Sequence, residues 1–182
     1  MTPPPEALSL TWITTASEAD PAVRDQLVAC WRDVSNAGGA VGFPFLPVDD
    51  EHVRPAVDIL VESLGPRANR LLLVHVDEAL AGWLLLVCTT NRLTAHWGRV
   101  LRVQTALDHR GRGVGRVLMD EVRRAARDDV GLEQLHLELR AGLGLESFYQ
   151  ALGWQEVGRW PNALRLTEAD RRDEVLMFLP LR

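Results

Sequence analysis

Apolar positions along the chain recur with two periods, and the switches between them divide it into eleven elements. Leu8 to Thr14 alternates every second residue, the pattern of a half-buried strand. Asp20-Pro21 then offers an N-cap and a first helical proline, and Val23, Leu27, Cys30, Trp31 and Val34 mark one helical face. A glycine-rich, aromatic-tipped loop, Gly38 to Phe45, interrupts the pattern. Val53, Val57, Leu60, Val61 and Leu64 define a second helix from about Glu51 to Leu64. Arg70 to Val76 and Leu80 to Thr89 read as strands joined at Asp77-Glu78, a hairpin by length. Trp97 to Thr105 is a further strand, and Val114, Val117, Leu118, Val122 and Ala125 give a strongly amphipathic helix from about Gly113, closed by Gly131.

Gln134 to Arg140, a short helix around Tyr149, Gln155 to Trp160 and Glu174 to Leu179 complete the order β-α-α-β-β-β-α-β-α-β-β. That order predicts an α/β fold with mixed strand directions. No repeat or linker divides residues 1–182, so one domain is expected, with residues 1–7 as a disordered tail.

Composition narrows the function. A net charge of −5 without a basic block argues against nucleic acid and anionic membranes as partners. No apolar run approaches the roughly 20 residues that span a bilayer, and the Met1-Thr-Pro-Pro-Pro-Glu start lacks the pattern of a signal peptide, so a cytoplasmic location is expected. Cys30 and Cys88 sit in apolar patterns and read as reduced core thiols. The five histidines show no metal-ligand spacing, and no metal is expected.

The chemistry concentrates in His109-Arg110-Gly111-Arg112-Gly113-Val114-Gly115, which follows a strand and opens the strongest helix. Three glycines in five residues let successive amides approach a ligand, and the helix N-terminus adds its dipole. A pyrophosphate suits such a cradle. A dinucleotide fold would need GxGxxG after the first strand of its unit, and a Walker loop would need a lysine, which this chain lacks altogether.

Arg110-x-x-Gly113-x-Gly115 resembles the (Q/R)xxGx(G/A) acyl-CoA signature of the GNAT N-acetyltransferases. Ser147-Phe148-Tyr149-Gln150-Ala151-Leu152-Gly153-Trp154 resembles the (F/L)YxxLG(F/W) segment near the end of the same domains. The Gly39-Ala40-Val41-Gly42-Phe43 loop and the run Arg110 to Val122 are further similar to the tabtoxin-resistance branch of that superfamily. The resemblance implies a mixed, mostly antiparallel central sheet flanked by helices, and an acetyl-CoA-dependent N-acetyltransferase acting on the primary amine of a small molecule, with an amino-acid-like antibiotic or toxin as one candidate. It implies cofactor contacts from the main chain of Val103, Gln104 and Thr105 and from Arg110, Gly111, Arg112, Gly113, Val114, Gly115 and Arg116. It also implies Tyr149, the only tyrosine, as the acid for the departing thiolate. A phenol near pKa 10 is matched to a thiol of about 8.5.

The base is open to two readings. Between Glu78 and Asp108 the chain has no Asp or Glu, so the strand before the cradle supplies none. On the next strand His136, Glu138 and Arg140 alternate with Leu135, Leu137 and Leu139, which suggests one wet face. Glu138 is the expected base, with His136 in reserve; the alternative is a solvated face or an ion pair. Phe43 and Phe45 are expected to wall the substrate site, and Arg102, sharing a strand face with Gln104, to meet a substrate carboxylate. Competing functions are a peptide or protein N-acetyltransferase and a non-catalytic acyl-CoA sensor, and a homodimer is allowed by either.

Overall fold

The computed structural model describes residues 7–39, 42–43, 45–66 and 68–182. Its elements are β1 (Leu8–Ile13), α1 (Pro21–Asn36), α2 (Asp50–Glu62), β2 (Asn69–Val76), β3 (Ala79–Cys88), β4 (Trp97–Thr105), α3 (Val114–Ala125), β5 (Gln134–Arg140), α4 (Leu145–Ala151), β6 (Gln155–Arg165) and β7 (Arg171–Pro180). This is the expected order. The seven strands form one sheet, β1-β2-β3-β4-β5-β7-β6, in which only β4 and β5 run parallel.

Strand alternation gives each sheet face its own core. Leu72, Leu84, Val100, Leu137 and Met177 face α3 and α4, meeting Val114, Leu118, Val122 and Tyr149. Leu71, Leu73, Trp83 and Leu85 face the other way and meet Leu27, Trp31, Val53, Val57 and Val61 of α1 and α2. The caps follow the sequence: the Asp20 carboxylate accepts from the Val23 amide at 2.9 Å, and that of Asp49 from the His52 amide at 3.0 Å. The β2–β3 turn holds Asp77 and Glu78 at φ 48° and 70°, the paired left-handed conformation of a two-residue hairpin. Gly82 in β3 lets α3 seat directly on the sheet, since a Cβ there would lie 2.7 Å from the Gln104 carbonyl oxygen and 2.8 Å from Val114 Cγ1.

Several boundaries differ from expectation. β6 runs on to Arg165 and β7 starts at Arg171, both longer than their apolar patterns. β6 is an edge strand whose residues are mostly exposed, so no alternation marks its length, and Pro161-Asn162 sits within an irregular stretch of its pairing. The third helix converts after Ala125 into a π-turn, Ala126–Val130, before the left-handed Gly131 ends it. Of the expected tail, residues 1–6 lie outside the described residues, whereas Ala7 exchanges hydrogen bonds with Asp77.

Two irregularities of β4 position the site. Its pairing with β5 is confined to Trp97–Gln134, Gly98–Leu135 and Arg99–His136, after which the two strands diverge. On its other side, Leu101 pairs with Leu85 but Gln104 pairs with Trp83, so β4 carries one extra residue, and Arg102 adopts φ 57° within that bulge. The strand therefore bends where its parallel neighbour departs.

Candidate active site

The cradle is formed as its glycines require. Gly111 and Gly113 take φ 75° and 86°, and a Cβ at either would point into open space. Gly113 caps α3, and the first amide of the helix with an intrahelical acceptor is Val117, bonded to the Gly113 carbonyl at 3.1 Å. The amides of Val114, Gly115 and Arg116 thus have no acceptor within the helix and project at the cradle with the helix dipole behind them. Arg110, Arg112 and Arg116 are exposed around it. A pyrophosphate fits this donor set, which offers unobstructed amides and cationic surroundings without a metal.

Helix α4 is tied to the cradle: a Cβ on Gly115 would lie 3.3 Å from Phe148 Cζ. The next residue, Tyr149, is 7% exposed, with its ring at edge contact to Phe148 and Trp154. Gly153 at φ 89° terminates the turn behind it. Burial raises the phenol to about 12. The match to a thiol is therefore poorer than the sequence suggests, and the phenol is better suited to donating a hydrogen bond than to giving up its proton.

On the opposite sheet face, β5 presents the expected polar row. Glu138 is ion-paired with Arg99 of β4, whose Nη2 donates to both carboxylate oxygens at 3.0 and 2.9 Å. His136 stacks on Trp97 at 4.6 Å, and burial lowers its pKa. Arg140 donates to the Gly38 carbonyl at 2.7 Å and so reaches the end of α1. Tyr149 and Glu138 consequently lie on opposite faces of the sheet.

Phe43 packs on Trp31 of α1 at 5.4 Å, and Trp31 meets Trp83 edge-on at 5.3 Å. The Arg102 guanidinium lies 5.1 Å above the Trp31 ring and against Gly42, with its pKa lowered by burial. Phe45 is not part of this group: it is 50% exposed and meets the His52 ring of α2 at 5.2 Å. Ala40, Val41 and Pro44 of the same loop lie outside the described residues.

The sequence reading missed three features. Gln104 was expected to act through its main chain, yet its side chain is 1% exposed and neither amide atom has a partner among the described residues. An amide on a strand that otherwise feeds two apolar cores was the available signal. The Arg99–Glu138 pair joins residues 39 apart and had none beyond charge. Glu174 of β7, on the same sheet face as Glu138, fell at the edge of an expected strand.

Comparison with known proteins adds a family match over part of the chain. Residues 67–156 match the model of the acetyltransferase (GNAT) domain. The chain is similar in structure to the ribosomal-protein-S18-alanine N-acetyltransferase of Escherichia coli (15% identity, 96% of this chain and 94% of that one, TM-score 0.68). It is also similar to yncA of Salmonella typhimurium, solved with its cofactor acetyl-CoA (14%, 97% and 95%, TM-score 0.71). Nourseothricin acetyltransferase matches over 64% of this chain and 67% of its own, at 25% identity and TM-score 0.55.

Proposed function

We propose that the chain, whose residues 67–156 match the model of the acetyltransferase (GNAT) domain, moves the acetyl group of acetyl-CoA onto the primary amine of a small molecule. The observation that carries this reading is the glycine cradle at the head of α3, set beside the divergence of β4 from β5. The bound cofactor supplies an acetyl group activated as a thioester. Val114, Gly115 and Arg116 would hold the pyrophosphate by their amides, with Arg110, Gly111, Arg112 and Gly113 around it. The main chain of Val103, Gln104 and Thr105, beyond the point where β5 departs, would hold the extended arm and donate to the thioester carbonyl.

Glu138 receives the incoming ammonium and takes its proton, so that the nitrogen lone pair can form the new C–N bond as the C–S bond breaks. Tyr149, on the other face, donates a hydrogen bond to the departing sulfur, which takes up the second proton that the nitrogen gives up as the amide forms. Hydrogen-bond donor and base act from opposite sides, which allows amine and cofactor to enter without crossing. The group Trp31, Phe43 and Arg102 supports an amino-acid-like acceptor, its aromatic wall taking an apolar side and its buried guanidinium a carboxylate. The likeness to nourseothricin acetyltransferase supports an antibiotic or toxin as that acceptor. An assay of free CoA release with acetyl-CoA and paired amines, each tested with and without a carboxylate and against a peptide N-terminus, decides the matter. The carboxylate-bearing small amines are expected to turn over fastest; preference for the peptide would overturn the reading.

A further inference from the structure

The acceptor face holds a second carboxylate that the reaction above leaves unused. Glu174 lies on β7, directly opposite Arg140 of β5, while Glu138 is opposite Leu176. The two acids are therefore diagonal neighbours across one strand pair, a separation of about 7–8 Å between backbones that two glutamate side chains or one water can bridge. They share a face, because Val175, Met177 and Leu137 alternate with them into the other core. Glu174 is half-buried, and among the described residues no hydrogen bond or ion pair holds its carboxylate. Glu138, by contrast, has both oxygens engaged by Arg99.

A proton taken up by Glu138 breaks that ion pair, so it does not rest there comfortably. We propose that Glu174 is a proton-relay residue, taking from Glu138 the proton that the amine gives up and passing it to solvent. This rests on the acetyl-transfer reading of the same cleft. In the balanced sequence an N–H bond of the ammonium is exchanged for an O–H bond on Glu138. That proton then moves, directly or through one water, to the ionised Glu174, and Glu138 recovers its pair with Arg99. Glu174 suits the second position, since burial and the negative charge of Glu138 both raise its affinity for a proton, against the smaller opposing effect of Arg99. The other charged or titratable groups on this face are Arg99 from β4, His136 and Arg140 from β5, and Arg172 of β7, two residues before Glu174 and ion-paired with Asp170; Trp160 of β6 pairs with Glu174 in register. Burial lowers the pKa of His136, against the opposing effect of Glu138.

The test pairs Glu174→Gln with Glu138→Gln. Carboxyl-carbon NMR titration of the protein alone should show Glu174 titrating above an ordinary glutamate, and falling back toward it in Glu138→Gln. In turnover, Glu174→Gln should lower kcat about tenfold with KM for acetyl-CoA unchanged and should displace the acidic limb of the pH profile, whereas Glu138→Gln should remove that limb. A Glu174 that titrates at or below the ordinary value, or a Glu174→Gln enzyme with wild-type kcat and limb, overturns the relay while leaving acetyl transfer standing. Wild-type protein that releases no CoA with any amine, while Glu174 still titrates high, overturns the acetyl-transfer reading and the relay with it.

Discussion

Removing the Tyr149 hydroxyl separates two roles for it, and its burial sets the expected sizes. With the phenol raised to about 12 and a thiol near 8.5, full proton transfer to the sulfur runs uphill by about 5 kcal/mol, at 1.36 kcal/mol per pKa unit. A donated hydrogen bond to developing negative charge is worth about 1.5–3 kcal/mol, so Tyr149→Phe should lower kcat between about 10- and 150-fold. KM for acetyl-CoA should barely move. Because the phenol stays protonated, no alkaline limb of the rate profile below about pH 11 should belong to it. The same shift has a consequence for stability. A phenol that ionises at 10 when unfolded and at about 12 when folded leaves stability intact below pH 10, then removes up to about 2.7 kcal/mol as pH rises through 12. Tyr149 is the only tyrosine, so the tyrosinate absorbance after a rapid pH jump reports this one group before unfolding intervenes. Titration at or below 10, or equal loss of cofactor affinity and rate in Tyr149→Phe, would refute the reasoning.

Gly113→Asp puts a carboxylate and a strained left-handed backbone into the cradle; calorimetry should find acetyl-CoA binding abolished while circular dichroism shows the fold retained. Gln104→Leu replaces an unpartnered buried amide with an apolar group of similar size and should raise stability by about 1 kcal/mol, or roughly 2–4 °C in Tm by calorimetry; a fall in Tm would mean the amide is satisfied in solution. Glu138→Gln keeps the shape of the side chain but not its basic lone pair, and should cut kcat on the order of 10²-fold and erase the acidic limb of the pH–rate profile; an unchanged profile would pass the role to His136 or water.

The elements were legible because most of them bury one face against a core on a known period. Leu137 and Leu139 alternating with Glu138 and Arg140 announced both a strand and its polar row, and the Gly111–Gly115 spacing announced a left-handed turn at the head of a helix. What stayed hidden depends on register between distant strands. The bulge at Arg102 exists only relative to Leu85 and Trp83, and the Arg99–Glu138 pair only because β4 and β5 lie side by side at their starts. Phe43 and Phe45 looked alike in sequence, but the first packs on Trp31 of α1 and the second meets His52 of α2. β6 escaped for the opposite reason: an exposed edge strand has no core to pattern it.

The brief β4–β5 pairing also bears on how the molecule breathes. A sheet normally confines its unpaired amides to its two outer edges, but here two further edges open in the interior, joined at one end by three residue pairs. Local opening should begin at that seam and let amide hydrogens of residues 101–105 exchange faster than those of β2 and β3 on the same sheet. A ligand that lies between the two edges would close the seam and protect those amides, coupling its affinity to the rigidity of the whole C-terminal half.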